Sequence, residues 1–197
     1  MIISDEKETV IVEDLLTKIK NEYFPEDVHP FPEFPLKDGM CALIWHENEE
    51  YEFGRNSWID KNTFLALKEV IENWSNTSDI YIAWAFRELN ELGQPLPRVV
   101  IKLPLNWPEL SNYESKIDYS ISQFYVFDEC LDWFIYVDDS VMLAGWNKLI
   151  LELETRLDGS NTAIQMFDEY LNGVNSEDTK TWVARIKNRY EKAKLNP

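Results

Sequence analysis

Short runs of aromatic and β-branched residues in the middle of the chain predict strands. The clearest are residues 124–127 and 133–137, which flank a polar turn at 128–132, and a third run follows at 141–146. Such runs, bounded by turn residues, are typical of strands. We therefore expect an antiparallel meander over 124–146. Further strands are expected at 41–46, in a hairpin with 51–53, and at 98–103.

Helical spacing of apolar residues marks most of the remaining chain. It predicts helices over 9–23 (whose β-branched start also allows a strand), from Asp60 to Trp74, from about Thr77 to Gly93, from Thr162 to Gly173, and from Ser176 onward. Residues 147–157 fit either a helix or a strand. The prolines at 24–35 and the segment around Trp107 indicate loops. The predicted class is α+β, a mainly antiparallel sheet with helices packed on it and a helical C-terminal part, in a single acidic domain spanning 1–197.

The net charge of −17 is unevenly distributed along the sequence. Residues 1–60 hold 15 acidic and 5 basic residues, and residues 121–160 hold 8 and 2, whereas residues 161–197 hold 5 and 6. A field of this sign repels nucleic acid and anionic membranes, because both carry negative charge. It attracts a basic protein and accelerates its capture. We therefore expect a basic protein partner and no direct contact with nucleic acid or membrane.

The sequence carries no signature of catalysis or cofactor binding. There is no glycine-rich phosphate loop, no GxSxG elbow and no HExxH motif, so no cofactor is expected. The chain begins without a basic or apolar leader, and the cysteines form no CxxC pair. These features favour a cytoplasmic protein with reduced thiols.

A few residues leave catalytic alternatives open. Cys41 with His46, or Cys130 with His29, would supply a thiol and an imidazole if the fold brought them together, although buried inert thiols are the simpler interpretation. The acidic turns could also bind a metal ion or form a carboxylate pair for hydrolysis. That alternative uses Asp128, Asp132, Asp138 and Asp139.

The segment Phe124-Tyr125-Val126-Phe127-Asp128-Glu129, with Asp132-Trp133-Phe134 and then Ala144-Gly145-Trp146, carries a family resemblance. It is similar to the aromatic strand–turn–strand segments of immunity proteins from bacterial polymorphic toxin systems. The resemblance covers about 25 residues and implies a small, acidic, single-domain cytoplasmic protein. Proteins of this group bind and block a cognate toxin, often a basic nuclease. No binding residue is carried over from them.

Charge, missing catalytic motifs and this resemblance together predict an immunity-type inhibitor rather than an enzyme. The alternatives are a DNA mimic or other acidic adaptor, and the carboxylate- or metal-dependent hydrolase. A binding surface is expected where acids in turns adjoin aromatic residues, because Trp and Tyr dominate interface hot spots. The predicted partner-binding residues are Trp45, Glu47, Glu49, Glu50, Tyr51, Asp128, Glu129, Asp132 and Trp133.

Overall fold

Six antiparallel strands and six helices make up the described part of the computed structural model, which confirms the α+β class. The structure describes residues 6–23, 36, 38–44, 61–85, 87, 89–96, 98–114, 124–138, 142–157 and 160–196. The predicted loop at 24–35 and the predicted strand at 51–53 lie outside these residues. Among the helices in these ranges, none is long and apolar enough to cross a membrane.

The strands form one sheet in the order β1-β6-β5-β4-β2-β3. The meander predicted over 124–146 is confirmed, since β5 pairs with both β4 and β6. The strand predicted at 41–46 is also present, and β6 is its neighbour in the sheet. The strands are β1 (Met40–Ile44), β2 (Asp79–Trp84), β3 (Val100–Pro104), β4 (Phe124–Phe127), β5 (Phe134–Asp138) and β6 (Met142–Trp146).

The helices follow the apolar spacing of the sequence in most places. Residues 147–157, which fitted either element, form a helix, and the Ser176 side chain caps the last helix by accepting a hydrogen bond from the Thr179 backbone N–H, as predicted. A further helix covers the segment around Trp107, where a loop was expected. The helices are α1 (Glu6–Tyr23), α2 (Lys61–Trp74), α3 (Trp107–Glu114), α4 (Asn147–Arg156), α5 (Ser160–Gly173) and α6 (Glu177–Leu195).

The helix predicted from Thr77 to Gly93 is wrong, because this segment supplies β2 and the loop after it. Ile80, Tyr81, Ile82 and Ala83 are all buried, since β2 lies between β3 and β4 and has both faces covered. A strand buried on both faces has a continuous apolar run, which spacing alone does not distinguish from a buried helix.

Helices lie on both faces of the sheet. On one face, Glu8 of α1 contacts Tyr81 and Lys102 at β2 and β3. The strand register places Gly145 on the opposite face, where it lies against Ile150 of α4. Helices α5 and α6 also pack on β1, and α2 packs against α4 and α3. The sheet is therefore a buried central layer between helices.

Ion pairs connect α1 to the edge of the sheet. The Arg98 side chain is only 5% exposed; its Nε lies 3.2 Å from a Glu13 carboxylate oxygen, and its Nη1 donates to the Trp84 carbonyl. Arg87 reaches the other Glu13 oxygen at 2.9 Å. A buried guanidinium needs such partners to offset its lost hydration, so this contact fixes how α1 crosses β2 and β3.

Candidate protein-binding surface

The predicted site residues divide between the described chain and segments outside it. Trp45, Glu47, Glu49, Glu50 and Tyr51 lie outside the described residues, so their part of the surface stays a prediction. The other four, Asp128, Glu129, Asp132 and Trp133, belong to the turn between β4 and β5. The described site is therefore this turn and the elements that surround it.

Asp128 holds the turn together instead of facing solvent. It is 1% exposed, which corrects the expectation that it lies on the surface with its acidic neighbours. Its carboxylate accepts hydrogen bonds from the Thr77 hydroxyl at 2.7 Å and from the Asp132 backbone N–H at 2.9 Å. Its carbonyl accepts from the Leu131 N–H. Asp side chains stabilise turns by such local bonds, and this one also joins the turn to the segment after α2.

The turn contains a backbone conformation that is uncommon for a bulky side chain. Leu131 has a φ of 57°, in the left-handed region. A non-glycine residue there costs of order 1–3 kcal/mol, and such residues persist only where their surroundings fix them. The bonds from Asp128 and the packing of Leu131 against the core supply that constraint. The turn therefore presents its acids in one fixed arrangement.

Glu129 and Asp132 are the exposed acids of this turn. Within the described ranges, no Lys or Arg lies within ion-pair distance of either, whereas many acids elsewhere are paired, including Glu8, Glu13, Glu69, Asp168 and Glu177. Desolvation, followed by the negative charges of Asp128, Asp132 and Glu129, raises the pKa of the exposed Cys130 thiol. Among the described residues, the negative charge of this turn is therefore uncompensated.

Trp133 lies at the base of the turn and is fully buried. It contributes to the core beneath the turn, so it is not available as an exposed aromatic anchor. The reason is positional: it precedes β5 directly, where the aromatic run enters the sheet. Among the described residues, its buried indole N–H has no hydrogen-bond partner.

A different pair of tryptophans supplies accessible aromatic surface beside the turn. Trp74, the last residue of α2, and Trp146, the last residue of β6, are partly buried and stack with ring centroids 6.1 Å apart. Phe134 packs edge-on against Trp146, with the ring centroids 5.7 Å apart. Sequence reasoning did not select either tryptophan. The signal it offered was position, because each ends an apolar element and is followed by polar residues.

Contacts from α4 hold the tryptophan pair in place. The Trp74 indole N–H donates to a Glu152 carboxylate oxygen at 2.9 Å. The Lys148 ammonium lies 5.2 Å from the centroid of the Trp74 ring, which shows that a cation is accepted there. Because Thr77 lies three residues after Trp74 and binds Asp128, the pair and the acidic turn share one end of the sheet. We call Glu129, Asp132, Trp74 and Trp146 the acidic–tryptophan surface.

The described residues include some of the candidates for catalysis and metal binding. These residues contain no group of three or more His, Cys, Asp or Glu side chains that could hold a metal ion. Asp128, one of the candidate acids, is occupied by structural hydrogen bonds. Burial, and then the Glu154 charge, raises the pKa of Cys41 to about 12, which leaves a thiol unsuited to nucleophilic attack. His29, His46 and Asp139 lie outside the described residues.

Comparisons with known proteins found no similarity to report: no family model, no curated protein and no solved structure matches the chain.

Proposed function

We propose that the protein is an immunity-type inhibitor, which binds a basic toxin or nuclease domain and blocks it by covering its surface. The observation that supports this most directly is the acidic–tryptophan surface. It combines acids without cationic partners among the described residues, a rigid turn and partly exposed indoles. Interfaces commonly consist of an aromatic anchor surrounded by polar residues that set orientation and specificity.

Each part of the surface has a physical role in the proposed complex. The net charge of −17 and the acidic turn attract a basic domain over long distances and orient it. On contact, Trp74 and Trp146 provide rigid apolar area at little entropic cost, because α4 already fixes Trp74. Partner Lys or Arg side chains would pair with Glu129 and Asp132.

The experiment that tests this proposal starts with affinity capture of the partner from native cells, followed by measurements on the purified complex. Glu129→Lys with Asp132→Lys should raise Kd at least tenfold, about 1.4 kcal/mol. The matched control is Glu177→Lys with Asp178→Lys at the start of α6, which changes the net charge equally at two other exposed acids. If the two double variants bind alike while both remain folded, the acidic–tryptophan surface is not the binding surface.

The kinetics provide a second test of the electrostatic part of the proposal. The association rate should fall steeply between low and physiological salt, because the Debye length shrinks to about 8 Å. The dissociation rate should change much less. A partner whose association rate does not depend on salt would remove the argument from charge, even if it bound tightly.

A further inference from the structure

A second accessible surface lies in the loop between β2 and β3, and it is apolar. Leu89 is 64% exposed and Leu92 is 82% exposed, and Leu96 is also exposed. Val10 and Ile11 on α1 are exposed as well. Single exposed leucines are ordinary on protein surfaces, whereas several within eight residues of one loop indicate an interaction site.

Hydrogen bonds within the loop fix its shape. The Asn90 side-chain oxygen accepts from the backbone N–H groups of Leu92 and Gln94, both at 2.9 Å. The Asn90 N–H donates to the Gln94 carbonyl at 2.8 Å, and Gly93 turns the chain with a φ of +74°. The leucines are therefore held in solvent by an ordered loop. An ordered loop loses little conformational entropy on binding, which favours recognition.

Ion pairs join α1 to the residues that flank the loop, and the loop lies far from the acidic–tryptophan surface. Glu13 of α1 binds Arg87 and Arg98, which flank the loop, and Val10 lies one helical turn before Glu13. The loop follows Trp84 at one end of β2, whereas the acidic turn adjoins the other end. The six residues of β2 separate the two surfaces by roughly 20 Å.

We propose that the β2–β3 loop is a second docking element, which inserts Leu92 and Leu89 into an apolar pocket with a basic rim on a partner protein. Charge selects this occupant. Glu91 is exposed between the two leucines, and the whole chain carries −17. A second copy would bring the same charges together, and an anionic membrane surface would repel them. A basic rim would instead pair with Glu91 around the buried leucines.

The test places a photo-crosslinking amino acid at position 92 of the full chain in native cells, with position 195 as the control. Leu195 is 80% exposed and lies at the end of α6, so it matches Leu92 in exposure. A crosslinked protein specific to position 92 is then purified. Leu92→Ser should raise its Kd at least tenfold, whereas Leu195→Ser should leave Kd unchanged. Thermal unfolding of both variants should match the unaltered protein, because neither side chain is buried.

Several outcomes would overturn the proposal. One is the absence of any adduct specific to position 92, and another is an adduct with a second copy of the chain alone. Unchanged Kd for Leu92→Ser would also overturn it. Binding to vesicles of phosphatidylglycerol and phosphatidylcholine that Leu92→Ser abolishes would assign the loop to membranes instead. The Kd of Glu129→Lys with Asp132→Lys is measured against the same purified partner. This measurement distinguishes the role of the β2–β3 loop from that of the acidic–tryptophan surface.

Discussion

Replacing Asp128 should destabilise the fold. Asp128→Ala removes the acceptor of two hydrogen bonds, at 2.7 and 2.9 Å, and leaves their donors in a partly buried site. Hydrogen bonds to a charged group contribute about 1.5–3 kcal/mol each. Because the two losses share one site, we expect a total of about 3 kcal/mol. For a chain of 197 residues this lowers Tm by about 6–12 °C. Asp128→Asn keeps the shape and one acceptor, and should cost about 1 kcal/mol.

Urea unfolding followed by tryptophan fluorescence measures these changes, with Thr77→Val as the second arm of a double-mutant cycle. We expect a coupling energy of at least about 1 kcal/mol between Asp128 and Thr77, because each of the two substitutions removes the same hydrogen bond. If the free energy of unfolding of Asp128→Ala lies within about 0.5 kcal/mol of that of the unaltered protein, the turn does not depend on this carboxylate. If Asp128→Asn is fully folded but binds the partner much more weakly, Asp128 is a partner-binding residue as the sequence predicted.

Three further outcomes follow from the described contacts. A cationic methanethiosulfonate reagent should label Cys130 faster than an anionic one, and equal labelling rates would contradict a negative turn. Asp132→Asn should reduce the difference between the two rates. It should also speed labelling at pH 8, because removing this charge lowers the raised pKa of the thiol. Gly145→Ala should cost about 1–3 kcal/mol in urea unfolding, because its Cβ would lie 3.0 Å from the Phe134 carbonyl, and unchanged stability would show that β5 can shift. Arg98→Met should cost about 1.5–3 kcal/mol in the same assay, because it removes the hydrogen bonds of the Arg98 guanidinium to Glu13 and to the Trp84 carbonyl. A loss below about 1 kcal/mol would mean that Arg98 does not help to hold α1 on the sheet.

The sequence was most informative where several local signals agree. The meander over β4 to β6 has aromatic runs, polar turns and suitable spacing, and α6 has a serine cap, acids in its first turn and lysines in its last. Each of these signals acts over a few residues, so a linear sequence contains them in full. They describe the ends of elements and their types, and both were predicted correctly here.

Pairing between distant segments was beyond these local signals. The position of β1 beside β6 joins residues about 100 apart in sequence, and no local pattern encodes that neighbour. The same limitation explains β2. Its apolar run is compatible with a helix until β3 and β4 bind it on either side. Tertiary hydrogen bonding then decides between two conformations that the isolated segment leaves close in energy.

The proposed binding surfaces depend on exposure, which residue type does not determine. Asp128, Glu129 and Asp132 are chemically alike, yet the first is the buried acceptor that shapes the turn and the other two are the charges it presents. The error over β2 had a further consequence, because a helix through Leu89 and Leu92 would have placed both leucines on an apolar stripe facing the core. Once β2 ends at Trp84, these residues belong to a connection at the edge of the sheet. Their accessibility then requires a different explanation, which a docking role provides.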